Sequence, residues 1–238
     1  MSKNLKTRVE TDSLGEIKVP KDALWGAQTQ RAIENFPISG IKFKFPFGRS
    51  FLKALGVIKY SAAIANNDLG ILSNKKSDAI KSAAKKVING DVDDHFPIDI
   101  FQTGSGTSTN MNANEVIANL ASAKLKDQIS PNDEVNMSQS SNDTIPTAIC
   151  ISALLDMKEL LLPGLDVLIK EIDKKEAKLK GVVKTGRTHL MDAMPIEFSQ
   201  ELSAWSAQLR GCKNSLNSSF KRLSAVSYTH LRAHETGW

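Results

Sequence analysis

Three short stretches of the chain combine small residues with hydroxyl and amide side chains, and one of them adds a histidine. They cover residues 103–110, 138–146 and 185–195, and each runs into a pattern typical of a helix. A helix N-terminus leaves backbone N–H groups unpaired and carries the positive end of the helix dipole, so such stretches suit anionic ligands. If the three stretches converge, we expect them to form a pocket for a small dicarboxylate.

His189, in the third stretch, is the side chain best suited to proton transfer. An imidazole can give or take a proton near neutral pH, or activate a water, when a partner tunes it. A lone histidine is also often a structural hydrogen-bonding group, so this residue by itself leaves both interpretations open.

The other two stretches offer neutral hydrogen-bond donors. In the first, glycines let the backbone approach a ligand, and Ser105 and Thr107 contribute hydroxyls. In the second, Ser140, Ser141 and Asn142 could hold a carboxylate through hydroxyls, an amide and backbone N–H groups. Each stretch taken alone could equally be a capping loop that satisfies the helix after it.

The elements that must position these stretches are predominantly helical. Apolar residues recur at a helical period through most of the chain beyond residue 48. We expect helices over residues 48–70, 77–89, 111–125, 146–180 and 195–223, with a kink or break at Pro163. The predicted fold class is therefore all-α: a long helical bundle with a small, mostly irregular and helical N-terminal domain.

The domain organisation follows from the same pattern. We expect an N-terminal domain over residues 1–143 and part of a central helical bundle over residues 144–226. The last segment, residues 227–238, loses the helical period and carries two of the four histidines. We interpret this segment as a non-native tail and leave it out of the fold argument.

The composition is that of an ordinary globular protein, with 41% hydrophobic and 24% charged residues. The net charge of +5 comes from 31 basic against 26 acidic residues, and the basic pairs are scattered without interleaved aromatic residues. This pattern favours solvated helix faces over a nucleic-acid surface. The first residues lack the apolar core of a signal peptide, and no stretch approaches the ~20 apolar residues of a membrane span. We therefore expect a cytoplasmic protein that binds neither nucleic acid nor membranes.

Neither the cysteines nor the histidines form a pattern typical of metal ligands. Cys150 and Cys212 lie far apart within helical patterns, as reduced thiols commonly do. His95 follows the acidic segment 91–94, which we interpret as a solvated surface cluster. The sequence predicts no metal site.

Taken together, the three stretches resemble the class II fumarases of the fumarase/aspartase superfamily. The resemblance runs from about Arg8 to about Leu223. Its motifs occupy residues 12–15, 24–30, 102–107, 110–112, 114–116, 139–143 and 186–190. Two details favour fumarase over aspartase, since aspartases typically carry threonine at the position of Ser141 and glutamine at the position of His189.

The resemblance implies reversible hydration of fumarate to (S)-malate in the tricarboxylic acid cycle, without a metal or organic cofactor. It also implies a homotetramer whose sites are shared among subunits. His189 would donate or accept a proton through an ordered water. The substrate-binding residues that the resemblance implies are Ser105, Gly106, Thr107, Ser140, Ser141, Asn142 and Thr188.

A secondary anion site is implied by the same resemblance, at Ser130, Pro131, Asn132 and Asp133, where Ser130 stands in place of the histidine usual in the family. Family members continue for about as long again, and that part supplies a Gly-Ser-Ser loop with the base and Lys-x-Asn substrate contacts. We therefore expect a truncated chain, inactive by itself. An aspartase-type ammonia-lyase and a non-catalytic helical metabolite-binding protein are the alternatives.

Overall fold

The computed structural model describes residues 6–42 and 49–224. These residues divide into two compact units: unit 1 ends at Ser152, and unit 2 begins at Ala153. Helices account for 64% of the structure, and the strands described form two separate two-stranded sheets, so the all-α prediction is confirmed. None of the helices in the described ranges is long and apolar enough to cross a membrane. The predicted tail, residues 227–238, lies outside the described residues.

Unit 1 begins with a β-hairpin that the sequence pattern did not predict. Strands β1 (Thr7–Asp12) and β2 (Gly15–Pro20) pair antiparallel. The side chains of the hairpin do not alternate as apolar-buried and polar-exposed: Val9 is 58% exposed, whereas Arg8 is partly buried. The Arg8 guanidinium donates hydrogen bonds to the carbonyl oxygens of Pro20, Lys21, Ala23 and Trp25. The sequence pattern missed this hairpin because polar contacts replace the apolar alternation that normally indicates a strand.

The helices of unit 1 follow the hairpin. They are α1 (Ala27–Asn35), α2 (Arg49–Asp68), α3 (Asn74–Asn89), α4 (Thr107–Leu125) and α5 (Ser141–Asp156), the last of which crosses into unit 2. A short turn, Asp93–His95, and a π-helical turn, Pro131–Val135, precede α4 and α5 respectively. The core of unit 1 lies among α2, α3 and α4, where Leu52, Leu55, Ile80, Val116 and Ile117 are fully buried.

Unit 2 consists of the end of α5, a π-helical turn at Met157–Leu161, α6 (Leu162–Lys178), a hairpin and α7 (Phe198–Leu223). The π-helical turn interrupts the predicted helix just before Pro163, which occupies the first turn of α6, where its missing N–H costs nothing. Helices α6 and α7 are tied by Asp173, which accepts hydrogen bonds of 2.6 Å from Ser206 Oγ and from Arg210 Nη2.

The hairpin of unit 2 corrects a second expectation. Strands β3 (Val183–Thr188) and β4 (Met191–Glu197) pair antiparallel, so Pro195 lies in a strand and does not open a helix. Helix α7 starts three residues later because Glu197 and Gln200 form a reciprocal capping box. The boundary between the two compact units falls inside α5. The expected division into domains between residues 143 and 144 stays a prediction.

Candidate functional site

The first polar stretch is a closed loop in front of α4. The Gln102 side chain closes it, because Oε1 accepts from Thr109 N at 2.9 Å and Nε2 donates to Thr109 Oγ1 at 2.6 Å. Gly106, immediately before α4, has a φ of 68° in the left-handed region. The N-cap residue Gly106 makes no side-chain cap hydrogen bond, and the N–H group of Thr109 in the first turn of α4 is capped by Gln102. The stretch is therefore a capped loop, but Gln102 supplies the cap and the hydroxyls of Ser105 and Thr107 do not.

The two hydroxyls of the first loop lie together instead. Ser105 Oγ and Thr107 Oγ1 are 2.7 Å apart, and Ser105 is exposed. They stand at the positive end of a 19-residue helix. This arrangement presents neutral donors where an anion is favoured.

The second polar stretch enters α5 through Ser140. The carbonyl oxygen of Ser140 accepts from Thr144 N at 2.8 Å, and Ser140 Oγ accepts from Asn142 N at 3.3 Å. Ser140 thus acts partly as a cap, whereas Asn142 and Asp143 lie within the helix. The Asn142 side chain is exposed and makes no hydrogen bond within the described residues.

The first two stretches meet in unit 1. Asn110 Nδ2 on α4 donates a hydrogen bond of 2.9 Å to Ser141 Oγ, at the start of α5. Gly106 also faces Ile145 of α5 so closely that a Cβ atom there would lie 3.0 Å from the isoleucine side chain. The N-termini of α4 and α5 are therefore joined by one hydrogen bond and one close packing contact.

A buried lysine lies behind this junction, and sequence reasoning missed it. Lys59 of α2 is fully buried, and its Nζ donates to Asn136 Oδ1 at 3.0 Å and to Gln139 Oε1 at 2.8 Å. Burial lowers the pKa of Lys59 to about 7, since a low-dielectric environment disfavours the charged form. The sequence signal was a lysine at helical spacing from Leu52 and Leu55.

The third stretch lies in unit 2 and is a hairpin tip, not a loop before a helix. His189 and Leu190 form the two-residue turn, with φ of 51° and 60°. Two consecutive left-handed residues are typical of a type I′ turn, which asparagine or glycine usually occupies. His189 is exposed, and its side chain makes no hydrogen bond in the part of the chain that is described. Thr188 is exposed beside it, at the end of β3.

Gly186 has a specific role in this hairpin. The strand register shifts between Thr185 and Arg187, and a Cβ at Gly186 would lie 2.6 Å from the carbonyl oxygen of Met194. Only glycine fits this irregular pairing without displacing backbone. The glycine therefore fixes how the turn with His189 leaves the strands.

The predicted secondary anion segment is a capped π-helical turn. Ser130 Oγ accepts from Asp133 N at 3.0 Å and donates to Asp133 Oδ2 at 2.8 Å. The Glu134 carboxylate accepts from Ser130 N at 2.5 Å and pairs with Lys76.

Pro131 and Asn132 line a cavity of about 650 Å³. The charged residues that line this cavity are Glu10, Asp12, Glu115, Asp127 and Lys126. Anion binding at this segment stays a prediction.

His95 is engaged in a structural contact. Its Nδ1 accepts a hydrogen bond of 3.2 Å from Leu24 N, and its ring lies 6.0 Å from that of Trp25. Burial lowers the pKa of His95, and Asp94 raises it by a smaller amount. The described residues contain no group of three or more His, Cys, Asp or Glu side chains that could hold a metal ion. Cys150 and Cys212 are both free thiols.

Comparison with known proteins agrees with this architecture. The chain is 56% identical over 223 residues to the class II fumarate hydratase of Xylella fastidiosa strain 9a5c, covering 94% of this chain and 46% of the relative. It is 53% identical over 225 residues to the enzyme of the same name from Halobacterium salinarum, covering 92% and 47%. The crystal structure of recombinant class II fumarase from Schistosoma mansoni matches with a TM-score of 0.87 at 40% identity, covering 92% of this chain and 46% of that one.

The chain therefore spans about half the length of the relatives it matches. The sequence pattern of a protein family described as Lyase (Lyase_1) matches residues 15–231, which is most of the chain. The resemblance to class II fumarases that the motifs indicated is confirmed, and the chain belongs to this lyase family.

Proposed function

We propose that the complete protein to which this chain belongs catalyses the reversible hydration of fumarate to (S)-malate, in the cytoplasm and as a step of the tricarboxylic acid cycle. The names of the relatives at 56% and 53% identity support this activity. The observation that carries it is the hydrogen bond from Asn110 to Ser141, because it joins two donor-rich helix entries that are far apart in sequence.

In this proposal the junction binds the dicarboxylate. The hydroxyls of Ser105, Thr107, Ser140 and Ser141 and the amide of Asn142 donate to carboxylate oxygens. The left-handed Gly106 brings the backbone of the first loop close to the ligand. Two helix N-termini add a favourable potential for a dianion, without a full counter-charge in the loops themselves. The resemblance also implies a substrate-binding role for Thr188 of unit 2, in a site shared among subunits.

Chemically, a base removes a proton from C3 of malate, and the carbanion charge spreads into the adjacent carboxylate. Donors already oriented around that carboxylate stabilise the developing charge, which is commonly the largest electrostatic contribution to catalysis. The C2 hydroxyl then leaves as water with the help of an acid. His189 transfers a proton through an ordered water, and the resemblance assigns the base to a Gly-Ser-Ser loop later in the complete protein.

The homotetramer is also part of the proposal. Unit 2 exposes large apolar side chains along its helices, with Leu160 65%, Val167 64% and Trp205 50% exposed. Apolar surface on long helices favours burial against further helices. We expect light scattering on the complete protein to give the mass of four chains, and a monomer would contradict this assembly.

The experiment that tests the activity follows the loss of fumarate absorbance with the complete protein, with and without ammonium ions. We expect turnover to malate without ammonium. Ammonium-dependent turnover would instead identify an aspartase, and malate binding without any turnover would identify a metabolite-binding protein.

The role of His189 is tested in the same assay. We expect His189→Asn to lower kcat by about a hundredfold or more, the usual contribution of a positioned acid or base. The matched control is Asp192→Asn on the same hairpin, which removes only an exposed 3.3 Å ion pair with Arg187 and should leave kcat unchanged. Normal turnover in His189→Asn would remove the histidine from the mechanism.

A further inference from the structure

Lys59 is the feature of unit 1 that the proposed chemistry leaves unexplained. It is fully buried in the middle of α2, and its ammonium group contacts two amide oxygens and no carboxylate among the described residues. Burying a cation without a counter-charge costs free energy. A methionine of similar length would fill the same space without that cost.

Three hydrogen bonds, through Asn136 and Asn110, connect Lys59 to Ser141. Asn136 Oδ1 accepts from Lys59 Nζ at 3.0 Å and also from Asn110 Nδ2 at 3.2 Å. The second hydrogen of the same Asn110 amide goes to Ser141 Oγ at 2.9 Å. Gln139, one residue before Ser140, accepts from Lys59 at 2.8 Å.

This chain of contacts has a direction that the lysine sets. The Nζ–H groups of Lys59 donate to Asn136 and Gln139, which therefore turn their amide oxygens towards the lysine. Asn136 Oδ1 can then only accept from Asn110, and the NH2 group of Asn110 therefore faces Ser141. Because Ser141 Oγ accepts from that amide, its own hydroxyl hydrogen is free to point towards a ligand.

We propose that Lys59 is a positioning residue: through Asn136 and Asn110 it orients the Ser141 hydroxyl as a hydrogen-bond donor to a substrate carboxylate, and through Gln139 it fixes the loop that carries Ser140. The inference rests on the proposed function, since it assigns a use to the same dicarboxylate site. The side-chain amide of Gln139 is also held through its nitrogen: Nε2 donates to the carbonyl oxygens of Val135 at 3.0 Å and Met137 at 3.2 Å.

The test compares Lys59→Met and Lys59→Gln with the unchanged complete protein in fumarate hydration. We expect the KM for fumarate to rise about tenfold to a hundredfold in Lys59→Met, the equivalent of losing a hydrogen bond to a charged group. A lysine that served only stability would lower the folded fraction, and thus the apparent kcat, while leaving KM unchanged. Lys59→Gln keeps N–H donors at this position, so it provides the comparison if Lys59→Met does not fold.

Lys86→Met is the matched control, since Lys86 lies exposed on α3 and its removal changes the net charge equally. We expect its KM to be unchanged. An equal rise of KM in the control, or an unchanged KM in both Lys59 variants, overturns the inference while wild-type turnover keeps the proposed function intact.

A second measurement separates the two proposals if the wild-type protein shows no turnover. Amide hydrogen exchange across residues 136–144 reports directly on the loop that Lys59 holds. We expect faster exchange confined to this segment in Lys59→Met, with no change in Lys86→Met. Unchanged protection in the Lys59 variant overturns the positioning role, whatever the protein catalyses.

Discussion

Asn110 of α4 donates a hydrogen bond of 2.9 Å to Ser141 Oγ across a sequence separation of 31 residues. Asn110 is fully buried, and its Oδ1 has no hydrogen-bond partner among the described residues. A buried amide oxygen without a donor costs free energy, so the residue is kept for what its NH2 group does. That group holds the entries of two helices in one place.

Asn110→Ala should therefore destabilise unit 1. We expect the free energy of unfolding to fall by about 1–3 kcal/mol, because Ser141 and Asn136 lose a buried donor and a small cavity forms. Urea denaturation followed by circular dichroism measures the change. Asn89→Ala, at the exposed last residue of α3, is the control and should change stability by less than about 0.5 kcal/mol. Equal effects of the two substitutions would contradict a structural role for the Asn110 junction.

Gly106 and Gly104 provide a matched pair in the first loop. Gly106 has a φ of +68°, and a Cβ there would lie 3.0 Å from Ile145, whereas a Cβ at Gly104 meets nothing within 4 Å. We expect Gly106→Ala to cost about 1–3 kcal/mol, from the left-handed backbone and the displaced isoleucine, and Gly104→Ala to be nearly neutral. Thermal unfolding of both variants tests this. A larger fall in melting temperature for Gly104→Ala than for Gly106→Ala would contradict this loop conformation at Gly106.

Periodicity predicted the helices because most of them bury one apolar stripe. Helix α3 was expected over residues 77–89 and ends there, where Gly90 adopts a φ of 90° and donates to the carbonyl oxygens of Lys86 and Val87. The two helix entries at Gly106 and Ser141 were also predicted as polar stretches. Their convergence was expected as the condition for a dicarboxylate pocket, but the specific contact from Asn110 to Ser141 was not predicted, since it depends on tertiary packing between α4 and α5.

Lys59 shows why part of the site could not be predicted. Apolar residues alone suggest that the stripe of α2 continues through Ile58 and Ala65, yet Ala65 is exposed while Lys59 and Asn66 are buried. The true stripe therefore contains two polar residues, which a hydrophobic pattern assigns to the solvent side. The hairpin of unit 2 was missed for a related reason, because its turn uses His189 and Leu190 where glycine or asparagine would have indicated a turn.

Glu115 gives a third prediction, since this buried α4 residue caps another helix. Its carboxylate accepts from Gly26 N at 2.9 Å, Gln28 N at 2.9 Å and Thr29 N at 3.1 Å, at the N-terminus of α1. We expect Glu115→Gln to lower the free energy of unfolding by about 1.5–3 kcal/mol, because a neutral amide has one acceptor oxygen and no charge to offer the helix end. Glu34→Gln, exposed near the end of α1, is the control in the same urea titration. A Glu115 variant as stable as the control would show that water replaces the cap.

The last prediction concerns pH and follows from the burial of Lys59. Its pKa is about 7 in the folded protein, below the ordinary lysine value of about 10.4 that applies to the unfolded chain. Between these two values the unfolded state binds a proton that the folded state has released, so stability rises with pH across this window. Among residues 6–42 and 49–224, the hydrogen-bond partners of Lys59 Nζ are the neutral amides of Asn136 and Gln139, and burial accounts for the shift in its pKa.

The measurement is the difference in free energy of unfolding between the wild-type chain and Lys59→Met. It is taken at intervals from about pH 6 to about pH 10, a range that covers the window between the two pKa values. We expect the wild type to gain up to about 1.4 kcal/mol per pH unit relative to the variant as the pH rises above 7, and no relative gain below it. Taking the difference cancels the titration of other lysines, and Lys86→Met should run parallel to the wild type. Parallel curves for the wild type and Lys59→Met would mean that the buried lysine keeps its proton. In that case the hydrogen bonds to the two amide oxygens would stabilise the ammonium form by more than its desolvation costs.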